Sequence, residues 1–320
     1  MPVNLDKPER WKADIAQSVD LYNAWFLEFA PKAFRDTRVR TTNAVESTLK
    51  ATENLTNVKS GIIRQNPSIL PTLRMSTCPP LARDRLIGLA GVSKSLVERM
   101  EKEGKLPVQL GAKDVDVALR KIGAIIERLA DRDVFPWLEA KTKPSAADVR
   151  RAATIVADRL CGATADPIVR NTQEARQLRN IGEWLNARGY KRLPPGSAVK
   201  FNTMPPGTYA FRMNVQVKLG GSGQSVNIPV DTVIMPKKTK RGILPLMIEA
   251  KSAGDFTNVN KRRKEEAKKV EQLRATYGTG IQYILFLCGY FDSGYLGYEA
   301  AEGIDWVWEH RIDDLRFFGL

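Results

Sequence analysis

The sequence predicts a mixed α/β protein in which an all-helical amino-terminal region precedes a small mixed sheet flanked by helices. Three observations predict it. Residues 1–163 carry amphipathic segments of helical period and little strand-like alternation. From Asn171 onward the pattern becomes helix, strand, strand, strand, helix, strand, the order of a compact mixed α/β domain. Between them, Cys161-Gly162-Ala163-Thr164-Ala165-Asp166-Pro167 reads as a boundary. The expected division is a helical region over residues 1–163 and a sheet-containing domain over residues 164–320. A chain of 320 residues with 43% hydrophobic content can bury one large core or two ordinary ones.

Within the helical region the amphipathic segments include residues 13–30, 115–129 and 146–160, punctuated by Asn66-Pro67, Cys78-Pro79-Pro80 and Lys143-Pro144-Ser145. Residues 86–97, Leu-Ile-Gly-Leu-Ala-Gly-Val-Ser-Lys-Ser-Leu-Val, resemble a helix-turn-helix, with a glycine at the turn and Ser93 capping the second helix. On that reading Ser93, Lys94 and Ser95 face a DNA groove. An ordinary helical hairpin would carry the same pattern.

The second region opens with a helix over residues 172–188 that stops at Gly189. Tyr209, Phe211, Met213, Val215 and Val217 then alternate with Arg212, Asn214, Gln216 and Lys218, which predicts a half-buried strand. Gly220-Gly221-Ser222-Gly223 lacks the helix start and Lys-Ser/Thr of a phosphate cradle and reads as a hairpin turn. A strand over 225–235, a cationic loop over 236–242 and a strand over 243–250 follow. The helix at 259–277 sets Ala267, Val270 and Leu273 on a buried stripe, with Lys261, Arg262, Lys264, Lys268 and Lys269 mostly elsewhere. Residues 281–288 form a fully apolar closing strand.

Charge and composition bound the function. The formal charge is +14 with a pI near 9.7, which suits a polyanionic partner. The excess lies in residues 1–200, with 34 Lys/Arg against 23 Asp/Glu, whereas residues 201–320 carry 16 against 13. Such a division is expected if one region grips a phosphate backbone and the other holds cations. The single histidine, His310, argues against paired-histidine zinc hydrolases and Ser-His-Asp chemistry. Cys78, Cys161 and Cys288 are odd in number and far apart, as free thiols in a reducing cytoplasm would be. Residues 1–7 lack the apolar core of a signal peptide, and the longest apolar run, 281–291, is far short of a membrane span. A cytoplasmic protein with no membrane partner is expected.

The chemistry concentrates in Pro229-Val230-Asp231 and, eighteen residues later, Glu249-Ala250-Lys251. Strand periodicity puts Glu249 and Lys251 on one face with Ala250 on the other. Two carboxylates, Asp231 and Glu249, suit a hard cation such as Mg²⁺, and the ammonium of Lys251 can offset phosphate charge or steer water. The competing readings are a turn or edge acid at Asp231 and a simple Glu249–Lys251 ion pair. Glu174 shares a helix face with Leu178, Ile181 and Leu185, so it can complete the metal shell or serve only as a helix-dipole partner. Asn258, Asn260, Lys261 and Arg263 follow the trio at a helix start and are expected to approach DNA, although capping alone explains the asparagines equally.

These residues resemble the PD-(D/E)XK nuclease pattern, with Pro229-Val230-Asp231 as a P-x-D element carrying one extra residue and Glu249-Ala250-Lys251 as its E-x-K element. Residues 252–266, together with 294–299 and 306–311, are similar to type II restriction endonucleases of the XamI group. The resemblance implies a restriction-endonuclease-like core and a Mg²⁺-dependent homodimer. Such a dimer makes double-strand cuts in DNA at a short palindrome of the GTCGAC type, leaving 5′-phosphates, in a cell whose cognate methyltransferase protects the same sites. It implies Asp231 and Glu249 as metal ligands and Lys251 as the catalytic lysine. The rivals are a structure-specific repair or recombination nuclease on the same core and a non-catalytic helix-turn-helix DNA-binding protein.

Overall fold

The computed structural model describes residues 2–218, 224–238, 242–256 and 259–320, and the side chains of residues 259–263 are outside that description. The chain divides into two compact units, Met1–Phe29 with Arg170–Leu320, and Ala30–Val169. Two long helices contribute to both: α1, Pro8–Ala51, and α8, Ala146–Ala187. The predicted boundary at residues 161–167 therefore lies inside a continuous helix. Pro167 is tolerated there because flanking turns keep their hydrogen bonds, while Gly162 and Ala163 end nothing without a glycine-type left-handed residue.

The unit Ala30–Val169 is all helical. Between α1 and α8 lie α2 (Ser60–Gln65), α3 (Leu70–Met75), α4 (Arg83–Ala90), α5 (Lys94–Glu103), α6 (Ala112–Leu129) and α7 (Trp137–Ala140). Their apolar stripes meet in one core that includes Leu49, Leu73, Leu86, Val97, Ile122, Phe135 and Val156. Sequence punctuation marks the ends. Ser145 and Asp148 form a reciprocal cap at the start of α8, and Gly91, at φ +57°, closes α4. Ser93 accepts the Leu96 N–H, so α4 and α5 form a short-turn helical pair as the pattern predicts.

The other unit is built on a six-stranded mixed sheet in sequence order: β1 (Lys191–Arg192), β2 (Thr208–Lys218), β3 (Ser225–Met235), β4 (Leu246–Ala253), β5 (Tyr283–Gly289) and β6 (Asp305–Trp308). The pairs β2–β3 and β3–β4 are antiparallel, while β1–β2, β4–β5 and β5–β6 are parallel. One face packs Ile181 and Leu185 of α8 against Ile248, Phe286 and Val307. The opposite face packs α9 (Val259–Tyr277) and α10 (Ser293–Ala301) through Val270, Leu273 and Leu296 against Met247, Leu285 and Trp306. Strands β1 and β6 were not expected. Two and four residues are too short to show a period, and Asp305–Trp308 leads directly into a 3₁₀ segment, Glu309–Phe318.

Strand β2 exists where alternation placed it, but its odd-numbered residues do not share one face. Tyr209 and Phe211 join the α8-facing core, whereas Met213, Val215 and Val217 join the α9-facing core. Strand β3 changes phase at the same level: Ile228 and Val230 lie on the α9 side, and so do Val233 and Met235. Because both strands slip together, pairing stays in register from Phe211↔Thr232 to Met213↔Val230. The slip is absorbed at Arg212, whose φ is +52°, directly across from Asp231. Left-handed backbone at a non-glycine residue is unfavourable by about 1–2 kcal/mol and is held only where the surroundings impose it.

Among the described residues no helix is long and apolar enough to cross a membrane. All three cysteines are free thiols, with Cys161 and Cys288 buried. The Gly220–Gly223 turn and the centre of the 236–242 loop lie outside the described residues.

Candidate active site

Asp231, Glu249 and Lys251 come together where β3 and β4 part. The β3–β4 ladder runs from Ile234↔Leu246 to Thr232↔Ile248 and stops. One residue on, the Asp231 side chain takes the next backbone donor itself, as the Ala250 N–H donates to Oδ2 at 2.9 Å. Pro229 stands just beyond, paired with Asn214 of β2 but clear of β4, a position where a missing N–H leaves no gap in a ladder.

On β4, Glu249 and Lys251 emerge on the α9 side with Met247, as period two requires. Lys251 Nζ lies 3.2 Å from Glu249 Oε1 and 3.1 Å from Glu266 Oε1, so the ammonium sits between two carboxylates. Lys269 donates to the same Glu249 oxygen at 2.8 Å and to the Pro229 carbonyl at 3.3 Å. The Tyr295 hydroxyl donates to Glu266 Oε2 at 2.8 Å. Both glutamates are buried, and Glu249 Oε2 has no hydrogen-bond partner among the described residues.

The electrostatics follow from this packing. Burial and the neighbouring Glu249 carboxylate raise the Asp231 pKa to about 6, and Glu174 adds to the rise, against the opposing effects of the Ala250 N–H and Lys251. For Lys251, burial acts to lower the pKa, but Glu249 and Glu266 outweigh it and the net shift is upward. Lys251 is therefore a cation at neutral pH and cannot serve as a general base. The Glu249–Lys251 ion pair that competed with a catalytic reading does exist, yet it occupies only one of the two glutamate oxygens.

Glu174 lies at the rim. The buried positions on this turn of α8 are Gln173 and Gln177, while Glu174 is half-buried and ion-paired to Arg212 at 2.8 Å. Gln177 donates to the main-chain carbonyls of Lys251 and Phe286, at 3.3 and 3.2 Å, and so ties β4 to β5 beneath the lysine. Lys94 heads α5, exposed and 4.0 Å from Glu98. Asn258 lies outside the described residues, as do the side chains of Asn260, Lys261 and Arg263.

Sequence reasoning missed Glu266, Lys269, Gln177 and Arg212. Glu266 had a signal: it lies four and seven residues before Val270 and Leu273, the test that singled out Glu174. Lys269 was assigned to the outer face and instead reaches Glu249. Arg212 read only as the polar half of an alternating strand.

The donor set suits a magnesium ion. Two hard carboxylates converge, one oxygen is buried without a partner, and the repulsion that raises Asp231 is what a cation relieves. No group of three or more His, Cys, Asp or Glu is gathered for a metal among the described residues. Magnesium needs none, since it is commonly held by one or two carboxylates and completed by water and substrate phosphate.

Comparison with known proteins shows the family. Residues 53–308 match the sequence profile of the XamI restriction endonuclease. The chain is 55% identical over 317 residues, 99% of both chains, to the type II restriction enzyme SalI of Streptomyces albus G. It is 27% identical over 210 residues, 65% of this chain and 67% of the other, to the type II restriction enzyme XamI of Xanthomonas campestris pv. amaranthicola. With a profile spanning most of its length and a relative aligned from end to end, the chain belongs to the XamI family of type II restriction endonucleases.

Proposed function

We propose that the protein makes sequence-specific double-strand cuts in DNA at a short palindrome of the GTCGAC type, by Mg²⁺-dependent phosphodiester hydrolysis that leaves 5′-phosphates. The observation that carries the reading is Lys251 held 3.2 Å from Glu249, with Asp231 hydrogen-bonded to the intervening residue. Asp231 and Glu249 would hold the cation, and Glu174 would extend the acidic rim on the α8 side. When bound, magnesium supplies Lewis-acid stabilisation of the phosphoryl oxygens and a more acidic attacking water. Lys251 places positive charge against the phosphate as negative charge grows there. Lys269 holds the same Glu249 oxygen as Lys251, which leaves the second oxygen for a cation.

The carboxy-terminal region is then the catalytic domain, and the amino-terminal helical region serves DNA binding and dimerisation. Lys94 at the head of α5, with Asn258, Asn260, Lys261 and Arg263, supplies DNA contacts. A palindrome is two-fold symmetric, so two copies of the chain are expected to act on it. A methyltransferase of matching specificity protects the host, and the enzyme works in the cytoplasm. Incubation with a sequenced plasmid in Mg²⁺, followed by mapping of the ends, tests the reading. Discrete fragments that religate without phosphorylation are expected. A smear, or uncut plasmid, would refute it.

A further inference from the structure

Arg212 combines three features that β-strand formation does not ask for. Its backbone is left-handed at φ +52°. It stands across the sheet from Asp231, in the register gap between Phe211↔Thr232 and Met213↔Val230. Its guanidinium, about two-thirds exposed, pairs with Glu174 of α8 at 2.8 Å, and that carboxylate in turn raises the pKa of Asp231. Arg212 also lies on the wall of a cleft of about 850 Å³ between α8 and β2, whose lining includes Arg179, Arg192, Phe211 and Asn214. Arg192 stacks over the Phe211 ring at 4.8 Å. The cleft is open to solvent, carries Arg179, Arg192 and Arg212 against the one carboxylate of Glu183, and meets the acidic site where Arg212 pairs with Glu174.

We infer that Arg212 is a DNA-phosphate contact that exchanges partners on binding, leaving Glu174 for the phosphodiester and releasing that carboxylate toward the metal site. The inference rests on the proposed nuclease reading and adds to it the order of assembly. In the free protein Glu174 is neutralised by Arg212, so cations meet only Asp231 and Glu249. A duplex laid along the cleft offers the guanidinium a phosphate, which it binds with the same forked geometry as a carboxylate. The carboxylate left behind then raises the affinity of the site for a divalent cation, so DNA completes its own cleavage centre. The exposure of the ion pair matters here: an exchange at the surface leaves no buried charge stranded. The strained backbone at Arg212 keeps the side chain at the junction of cleft and site, where ordinary alternation would turn it away.

Two measurements test this without relying on cleavage. The first is the salt dependence of binding to a mixed-sequence duplex in EDTA, for the wild type, Arg212→Gln and Arg212→Lys. Loss of one phosphate contact should reduce the slope of log K against log salt by about one in Arg212→Gln, with the slope retained in Arg212→Lys. The second is Mn²⁺ affinity of the DNA-free protein. Arg212→Gln should tighten it several-fold, and the gain should vanish in the double variant with Glu174→Gln. An unchanged slope, or a gain in Mn²⁺ affinity that survives loss of Glu174, overturns the inference. Should the wild type cut plasmid in Mg²⁺ while either result holds, this exchange alone is wrong. A wild type that never cuts refutes the nuclease reading itself.

Discussion

Lys251 is worth more to the fold than an exposed lysine and more to the chemistry than a packing residue. It neutralises two buried carboxylates, Glu249 and Glu266, whose other partners are Lys269 and Tyr295. Removing one member of a buried pair strands the charge left behind, so Lys251→Met is expected to lose about 3 kcal/mol of stability by denaturant titration. Its cleavage rate should fall by about 100-fold or more where the variant is still folded. Asp231 gives a second residue-scale prediction. Its pKa is raised to about 6 in the folded chain against 3.8 ordinarily, so between those values the folded state holds a proton that the unfolded state has lost. The stability this contributes is present at low pH and is lost as pH rises through about 6. In the metal-free protein a carboxyl resonance followed by ¹³C NMR should titrate near 6. Glu249→Gln, which removes the nearest negative charge, should lower that midpoint while burial keeps it above the ordinary value. A midpoint that does not move would show that Glu249 is not the neighbour that raises it.

At the scale of elements, the order helix, strand, strand, strand, helix, strand was legible because each piece exceeds one period of its pattern and ends on a recognisable stop. The E-x-K strand was legible for a further reason: acid and lysine two apart in an apolar run can share only one face. What the sequence could not show is where alternation changes phase. From Phe211 to Val217 the apolar residues stay on odd numbers, yet the strand rotates at Arg212, and nothing short of a backbone angle records it. The contribution of α9 was half legible, since its cations read as mostly off the buried stripe while Glu266 and Lys269 turn inward. Gly289, at the end of β5, shows how little room the core of this unit leaves. Its φ is +99°, and a Cβ there would fall 2.1 Å from the Ala253 carbonyl oxygen. Its N–H donates to Ser18 Oγ at 2.8 Å, which holds α1 against the sheet. Gly289→Ala is therefore expected to destabilise the protein by at least about 2 kcal/mol, read as a lower urea midpoint at unchanged slope.

At the scale of the molecule, the unit that contains the candidate site is assembled from both ends of the chain. The Asp305 carboxylate at the start of β6 accepts the backbone N–H groups of Val3, Asn4 and Leu5, and the Asn4 side chain donates to the Trp306 carbonyl at 2.7 Å. Trp11 packs edge-on against Trp306 with centroids 5.5 Å apart, and Asp14 forms a two-pronged ion pair with Arg311 at 3.0 and 3.1 Å. These contacts explain why the cluster around β5 and β6 is closed to water: Leu5, just ahead of α1, and Trp11 and Ile15 near the start of α1 add apolar cover to that of α9 and α10. Residues 2–29 therefore act as a structural part of the unit that holds the candidate site, and loosening them should be felt there. Asp305→Ala removes the carboxylate that accepts three amino-terminal backbone N–H groups, each bond worth about 1.5–3 kcal/mol net when made to a charged acceptor, so the segment should detach before the sheet unfolds. Hydrogen exchange at residues 3–5 and 9–18 should speed by 10-fold or more, with loss of the near-ultraviolet signal of the Trp11–Trp306 pair, while protection in β4 and β5 is kept. If exchange in β4 rises by the same factor, the amino-terminal segment and the sheet open as one cooperative unit, and the hierarchy argued here is wrong.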